Sequence, residues 1–110
     1  MCMEAVKIVV FTPKSHSVAV RKAMGDAGAG RIGLYSHCSF SLDGKGRYKS
    51  MKDAKPFIGK AGNFEEVEEE KIEYFCEKKI AKKVIKAMKK AHPYQEVAFD
   101  IYPLISEENL

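Results

Sequence analysis

The order of strand-like and helix-like segments constrains this fold more than any other feature of the sequence. Residues 5–12 form an apolar, β-rich run, which predicts a first strand. Ser15 is a suitable helix N-cap and apolar residues recur at spacings of three and four after it, so we predict a helix to about Ala27. Gly28 and Gly30 should end this helix, because glycine readily takes the left-handed conformation of a helix end.

The middle of the chain predicts further strands. A second strand is expected over about 33–42, and the dipeptide Asp43-Gly44 predicts a tight turn into a return strand over about 46–51. A loop rich in proline and glycine then leads to a long strand over 65–76. The first half of that strand is rich in glutamate, so we expect its carboxylates to face solvent or to be paired across an interface.

The last part of the chain returns to a helix followed by a strand. A second helix is predicted over about 77–91, with a lysine-rich face opposite an apolar stripe. A final strand is predicted over about 96–102, and Pro103 is expected to end it. The complete order β-α-β-β-(β)-α-β is typical of the ferredoxin-like α+β class, in which two helices cover one face of a mainly antiparallel sheet.

This order predicts a single domain over residues 1–110 with a core over about 5–104. Because both helices are expected on one face, the other face of the sheet is left uncovered. Several aromatic side chains cannot all lie beneath the helices, so some of them are expected to contact another subunit. These residues are Phe40, Tyr48, Phe75 and Phe99. We therefore expect a homo-oligomer.

Composition and charge argue against several classes of protein. The apolar runs are far shorter than the roughly 20 residues that span a bilayer, and no signal peptide is visible, so no membrane association is expected. The three cysteines form no Cys-x-x-Cys pair, which favours a reducing, cytoplasmic setting over a disulfide framework. The net charge of +4 is a weak argument for nucleic-acid binding, and no nucleic-acid motif is present, so such binding is not expected.

Three stretches of the sequence go beyond generic folding signals. They are Gly28–Tyr35 with Cys38–Phe40, then Pro56–Gly59 with Gly62 and Glu66–Glu68, and finally His92–Leu104. Together they closely resemble the PII-like, or CutA-like, domain inserted in many bacterial members of the Nif-three-like family, of the YqfO type. The resemblance extends over residues 10–104. In the third stretch the family pattern is His-Pro-Tyr-Glu-Glu, whereas this chain has Gln95 in place of the first glutamate.

The resemblance implies an oligomeric ferredoxin-like domain, related in shape to PII signalling proteins and to CutA, with a trimer favoured and a dimer as the alternative. In the full-length family this domain is an insert, regarded as a lid or regulatory element. The flanking family domains hold a dinuclear metal site of histidines and carboxylates. Those domains are absent from this sequence, so we interpret the chain as a stand-alone form of the insert and expect that chemistry not to carry over.

Candidate ligand-binding residues can be named, whereas a catalytic constellation cannot. No Ser-His-Asp or Cys-His arrangement is defined and no paired carboxylates stand out, so neither an enzyme nor a bound cofactor is expected. We instead expect a regulatory or structural module that binds a small anionic ligand or a protein partner. The candidate residues, taken from a basic stretch and from the third motif, are Arg31, Lys45, Arg47, His92, Tyr94 and Glu96.

The alternative is a CutA-like protein that binds a divalent metal. Imidazole and thiolate groups are suitable ligands for borderline metals. The candidate ligands are His16, His37, Cys38 and His92. His37 and Cys38 are neighbours on a predicted strand and should point to opposite faces, so only one of them can join a site with the others.

Overall fold

Four strands and two helices make up residues 4–110, the part of the chain that the computed structural model describes. A short 3-10 turn precedes each helix. The bounds of the elements are β1 Ala5–Pro13, α1 Ser17–Asp26, β2 Ser39–Lys49, β3 Phe64–Glu77, α2 Ala81–Ala91 and β4 Phe99–Leu104. The first three residues of the predicted domain, which include Cys2, lie outside the described residues.

The strands form one antiparallel sheet in the order β2-β3-β1-β4. Strand β1 lies at the centre and pairs with β3 on one side and with β4 on the other. Strands β1 and β2 run in the same direction with β3 between them, which is the split βαβ arrangement. The predicted ferredoxin-like α+β fold is therefore confirmed.

The hydrophobic core lies between the two helices and one face of the sheet. Its members recur at every second residue on β1 and β3, and at spacings of three or four on the helices. They are Val6, Ile8, Val10, Val20, Met24, Ala29, Ile72, Tyr74, Cys76, Ala81, Val84 and Met88. Burying each of the larger aliphatic side chains contributes about 1.5–3 kcal/mol, so this alternation decides which face of β3 meets the helices.

Strand β2 runs straight through the predicted turn. Asp43 pairs with Glu70 and Gly44 pairs with Glu69, so the expected tight turn and return strand over 46–51 are wrong. A tight turn needs two flanking strands that pair with each other. Here β3 offers β2 a partner along its whole length, and the basic residues of β2 face glutamates of β3. The connection between the strands is instead residues 50–63, named here the β2–β3 loop.

Strand β2 also begins later than predicted, because the chain first passes over the end of α1. Gly30 has a φ of +79° and donates its backbone N–H to the Phe75 carbonyl at 2.8 Å, while its own carbonyl accepts from the N–H of Cys38 at 2.9 Å. A Cβ at Gly30 would lie 2.5 Å from the Cys38 carbonyl oxygen. These bonds keep the backbone at Gly30 next to β3 and delay regular pairing until Ser39.

Strand β4 continues through the proline that was expected to end it. It spans Phe99–Leu104 and pairs with β1 alone, so it forms one edge of the sheet. Pro103 has no N–H to donate, but an edge strand needs hydrogen bonds along only one side. The proline is therefore tolerated here.

The sheet face opposite the helices, named here the open face, carries exposed apolar side chains. Phe40 and Leu42 of β2 lie on it and are 62% and 51% exposed. Of the four aromatic residues expected to be uncovered, Tyr48 and Phe75 also lie on this face by register. Phe99 does not, because it pairs with a core position of β1 and packs against the core. No helix within residues 4–110 is both long enough and apolar enough to cross a membrane.

Candidate ligand-binding cleft

A cleft of about 700 Å³ opens on the open face of the sheet. The sheet forms its floor at Phe11, Tyr48 and Glu69, which occupy positions that alternate with core residues. Two connections form its walls: the β2–β3 loop and residues 92–98, named here the α2–β4 segment. The alternation of side chains along the strands therefore points these three residues into the cleft, away from the helices.

Aromatic rings surround this cleft. The Tyr94 ring centroid lies 6.2 Å from that of Tyr48, 6.4 Å from that of Phe57 and 4.9 Å from that of His92. His16, just before α1, meets the Phe57 ring edge-on at 5.4 Å. Tilted and edge-on pairs at these distances are favourable. The rings therefore hold the β2–β3 loop against the α2–β4 segment.

Glu69 places a carboxylate on the floor of the cleft. Its Oε2 accepts a 2.9 Å hydrogen bond from the Tyr94 hydroxyl. The carboxylate lies over Gly46, where an added Cβ would come within 1.9 Å of Oε1, so the glycine provides the space that this side chain occupies. Burial, followed by the hydrogen bond and the charge of Glu69, raises the pKa of Tyr94 far above its ordinary value of 10.0. Tyr94 therefore remains a hydrogen-bond donor at physiological pH.

Hydrogen bonds attach the β2–β3 loop to both sides of the cleft. The N–H of Lys55 donates to Oε1 of Gln95 at 2.9 Å, and the Tyr48 hydroxyl donates to the Ile58 carbonyl at 2.5 Å. Gln95 is the position at which the sequence departs from the family pattern. A glutamate there supplies the same kind of acceptor, so the replacement preserves this contact.

His92 anchors the α2–β4 segment from behind and does not face the cleft. Its Nε2 lies 2.7 Å from the Phe11 carbonyl, and its Nδ1 accepts the N–H of Tyr94 at 3.1 Å. A carbonyl can only accept and an amide N–H can only donate, so these contacts require a neutral ring protonated at Nε2. Burial lowers the pKa of His92 and outweighs the hydrogen bond to Phe11, which agrees with the neutral form.

Three of the six predicted ligand-binding residues border the cleft: Arg47, Tyr94 and Glu96. Arg47 is already engaged, because its Nε donates to Glu66 at 2.9 Å. Lys45 forms a 3.4 Å ion pair with the same carboxylate and does not line the cleft. Hydrogen bonds from Arg47 and Lys45 lower the pKa of Glu66. These two cations therefore serve the pairing of β2 with β3.

Arg31 lies away from the cleft, in the exposed turn region of residues 31–38. In this region Ile32 and Tyr35 exchange backbone hydrogen bonds of 3.0 Å. Leu34 and Tyr35 are 102% and 75% exposed. The structure therefore separates Arg31 from the other candidate residues.

The four predicted metal ligands are not gathered into one site. His37 pairs with Asp26 through a 2.9 Å contact from Nε2, and Cys38 follows it at the end of the turn region. His16 lies beside the cleft, while both ring nitrogens of His92 are engaged. Within residues 4–110, no group of three or more histidine, cysteine, aspartate or glutamate side chains could hold a metal ion. Metal binding stays a prediction.

Glu69 is a cleft residue that the sequence did not single out, and Gln95 was not among the predicted site residues. Glu69 belongs to an acidic run that reads as a solvated strand, and nothing in that run distinguishes it from its neighbours. The alternation of side chains along a strand could have identified it. Glu70 shares a face with Ile72, so Glu69 must point to the opposite face. Gln95 could be found only as a departure from a family pattern.

The fold is ferredoxin-like α+β, and solved structures of CutA and PII proteins share it. The periplasmic divalent cation tolerance protein CutA of Archaeoglobus fulgidus superposes with a TM-score of 0.67 at 14% identity, over 94% of this chain and 89% of that one. The Bacillus subtilis GlnK–ATP complex gives a TM-score of 0.63 at 13% identity, over 94% and 84%. At these identities the likeness concerns the fold alone.

Closer similarity leads to a particular family. A Bacillus cereus protein related to NIF3 superposes with a TM-score of 0.84 at 48% identity, over 96% of this chain and 27% of that one. The GTP cyclohydrolase 1 type 2 homologs of Bacillus subtilis and Halalkalibacterium halodurans are 52% and 50% identical, over 89% and 92% of this chain. They are covered over 26% and 27% of their own length. No family model matches the chain.

The chain is homologous to one segment of the NIF3-related proteins, and the resemblance inferred from its three motifs is confirmed. It spans about a quarter of the length of the curated relatives it matches. One expectation needs correction. The chain was not expected to be an enzyme, but its relatives are named as homologues of one, GTP cyclohydrolase 1 type 2. The expectation rested on the lack of a visible catalytic constellation, which a short segment of a longer enzyme need not contain.

Proposed function

We propose that this domain binds a small anionic ligand in the cleft and acts as a regulatory or structural module. The observation that carries this proposal is the cleft itself, which combines ring-lined walls, a carboxylate on its floor and an exposed lysine, Lys52, in its lining. Its volume of about 700 Å³ lies within the range of small-molecule sites, about 300–1,000 Å³. Apolar walls with a few placed polar groups are typical of such sites.

Basic side chains supply the attraction for an anion. Residues 44–62 contain six basic residues and one acidic residue, Asp53. Lys49 and Lys52 both border the cleft and are exposed. Among residues 4–110 neither of them forms an ion pair with a carboxylate, in contrast to Lys45 and Arg47. The Lys49 ammonium lies over the Phe64 ring, 5.0 Å from its centroid, on the helix side of the sheet by register. Lys52 is therefore the lysine of the lining that remains available, and its ammonium group beside an apolar cleft favours a phosphate or carboxylate ligand.

The relatives indicate which anions to test first. The curated relatives carry the name of an enzyme of GTP, and the solved GlnK structure is a complex with ATP. We propose that this domain serves a protein that acts on a nucleotide and that nucleoside triphosphates enter the cleft.

Isothermal titration calorimetry of the full chain with GTP, ATP and inorganic tripolyphosphate would test the proposal. We expect at least one of these anions to bind with a submillimolar Kd. The variant Lys52→Glu should weaken that binding by about tenfold. Lys82→Glu, the same charge change on the exposed face of α2, should leave it unchanged. Absence of binding by all three anions would overturn the proposal.

We also propose that the domain assembles into a homo-oligomer through the part of the open face outside the cleft, with a trimer favoured over a dimer. Phe40 and Leu42 expose large apolar side chains on this face, and Tyr102 of β4 is 49% exposed on the same side. Light scattering after size exclusion should give a mass above that of a monomer. Phe40→Glu should return the protein to a monomer, whereas Val18→Glu on the exposed side of α1 should not. A cytoplasmic location stays a prediction from the cysteine pattern.

A protein partner is the second candidate, and the turn region of residues 31–38 favours it. Leu34 and Tyr35 expose large side chains there. A photo-crosslinking residue at position 34 should form one discrete adduct in cells. The same residue at position 86, on the lysine face of α2, serves as the control and should form none.

A further inference from the structure

We infer that the cleft selects a guanine-type ring, one that presents adjacent N–H donors, from a nucleotide whose phosphates lie beside Lys52. This inference rests on the proposed function and adds to it the type of base at the end of the ligand that lies on the cleft floor. The observation that carries it is the Glu69 carboxylate. Oε2 is held by the Tyr94 hydroxyl, whereas Oε1 has no hydrogen-bond partner among residues 4–110.

The carboxylate determines what the ligand must present. An ionised carboxylate can only accept hydrogen bonds, and its two oxygens offer about four lone-pair directions. Tyr94 uses one of these directions, so Glu69 can still accept two N–H groups side by side. Guanine presents such a pair, a ring N–H beside an exocyclic amino group. Adenine places a ring acceptor at the equivalent position, which a carboxylate repels.

The walls of the cleft suit a planar ring. Tyr48, Phe57 and Tyr94 line the cleft together with Glu69, and the Tyr94 ring centroid lies 6.2 Å from that of Tyr48 and 6.4 Å from that of Phe57. Contact of a base with such side chains is worth about 1–3 kcal/mol and is much the same for any base. The rings therefore supply affinity, and Glu69 supplies the choice of base.

The charges along the cleft fix the direction of the ligand. The half-buried Glu69 lies on the floor, while Lys52 borders the cleft and is exposed. A ligand with hydrogen-bond donors at one end and phosphates at the other fits this gradient in only one orientation. Glu96 and Asp53 also border the cleft, and both are exposed, so water screens them more than it screens Glu69.

Comparison of four ligands would test the inference: GTP, ITP, which lacks the exocyclic amino group, ATP and inorganic tripolyphosphate. We expect GTP to bind about tenfold or more tighter than ATP, with ITP between them. Glu69→Gln should weaken GTP binding by a similar factor, because one oxygen is replaced by an NH₂ donor, and should not weaken tripolyphosphate binding, because the variant removes a negative charge from the cleft. Thermal unfolding of the variant confirms that it is folded.

Each outcome separates the inference from the proposed function. If tripolyphosphate and ATP bind as tightly as GTP, the domain binds anions and the inference about the base is overturned. If GTP is preferred but Glu69→Gln leaves the preference intact, Glu69 does not read the base and the inference is also overturned. If none of the four ligands binds, the proposed function itself fails.

Discussion

The Tyr94 hydroxyl donates a 2.9 Å hydrogen bond to the Glu69 carboxylate and so connects the α2–β4 segment to the floor of the cleft. The two residues are 25 positions apart in sequence. The bond makes the position of one wall depend on a side chain of the sheet, so changes at either residue should affect both stability and ligand binding.

Tyr94→Phe should lower the free energy of unfolding by about 1–2 kcal/mol, because the variant removes the donor and leaves the half-buried carboxylate without it. Urea denaturation at neutral pH would measure this. Tyr102→Phe is the matched control, since Tyr102 is exposed on β4, and its effect should stay within about 0.5 kcal/mol. Equal effects of the two variants would show that the Tyr94 bond contributes nothing to stability.

Gly46→Ala should displace the Glu69 carboxylate, because the new Cβ would lie 1.9 Å from its present Oε1 position. We expect a loss of about 1 kcal/mol in stability together with weaker nucleotide binding. Gly44→Ala offers a close control two residues earlier in the same strand, where an added Cβ meets no atom within 4 Å. A Gly44→Ala variant as impaired as Gly46→Ala would indicate a general effect of alanine in β2.

Stability should fall as the pH is lowered below the ordinary histidine pKa of 6.5, in part because of His92. Burial lowers the pKa of His92 in the folded state, so the unfolded chain takes up the proton first. The stabilisation is therefore complete above the unfolded pKa and is lost as the pH falls towards the folded one. Protonation would also remove the acceptor for the N–H of Tyr94.

Urea midpoints at about pH 7.5 and about pH 5.5 would measure this dependence. His92→Gln should show a smaller difference between the two pH values than the unsubstituted chain. His16 and His37 are present in both proteins, so any contribution from them cancels in the comparison. An unchanged difference would rule out His92 as the source.

Arg21→Ala should cost about 3 kcal/mol, because it leaves the carboxylate of Glu70 without its cation. The Glu70 side chain is only 11% exposed. Burial opposes its ionisation, but hydrogen bonds from Ser41, Ser17 and Arg21 outweigh burial and lower its pKa. Thermal or urea unfolding would measure the loss.

The neighbouring pair of Lys22 and Asp26 provides a control on the same helix. Its side chains are 73% and 51% exposed, and exposed pairs contribute little. Lys22→Ala should therefore leave stability nearly unchanged. A loss in Arg21→Ala no larger than this would mean that Glu70 is rehydrated when its partner is removed.

The sequence predicted the helices and the long acidic strand because both depend on local periodicity. Strand β3 was recognised despite its glutamates, since Ile72, Tyr74 and Cys76 alternate and are buried as expected. The path of β2 could not be obtained in this way. Asp43-Gly44 is a strong local turn signal, and only the distant partner strand overrides it.

The candidate site was predicted in part for the same reason. Tyr94 and Glu96 belong to a motif that could be located from the sequence alone, and both border the cleft. Lys45 and Arg47 were interpreted as ligand-binding cations, but charge complementarity with Glu66 engages them across the sheet. Which lysines of a basic stretch remain unpaired depends on strand register, and the sequence does not reveal the register.

The central position of β1 determines how this chain can fold. Val6 pairs with Cys76 on one side and with Pro103 on the other, so both partners of β1 are distant in sequence. Only the β2–β3 pair is close enough to form as a local hairpin. During synthesis, β1 emerges from the ribosome well before either partner exists. Contacts of such high sequence separation slow folding relative to a helical bundle of equal length. Substitutions that speed formation of the β2–β3 hairpin should therefore shorten the time during which the hydrophobic strand β1 has no partner.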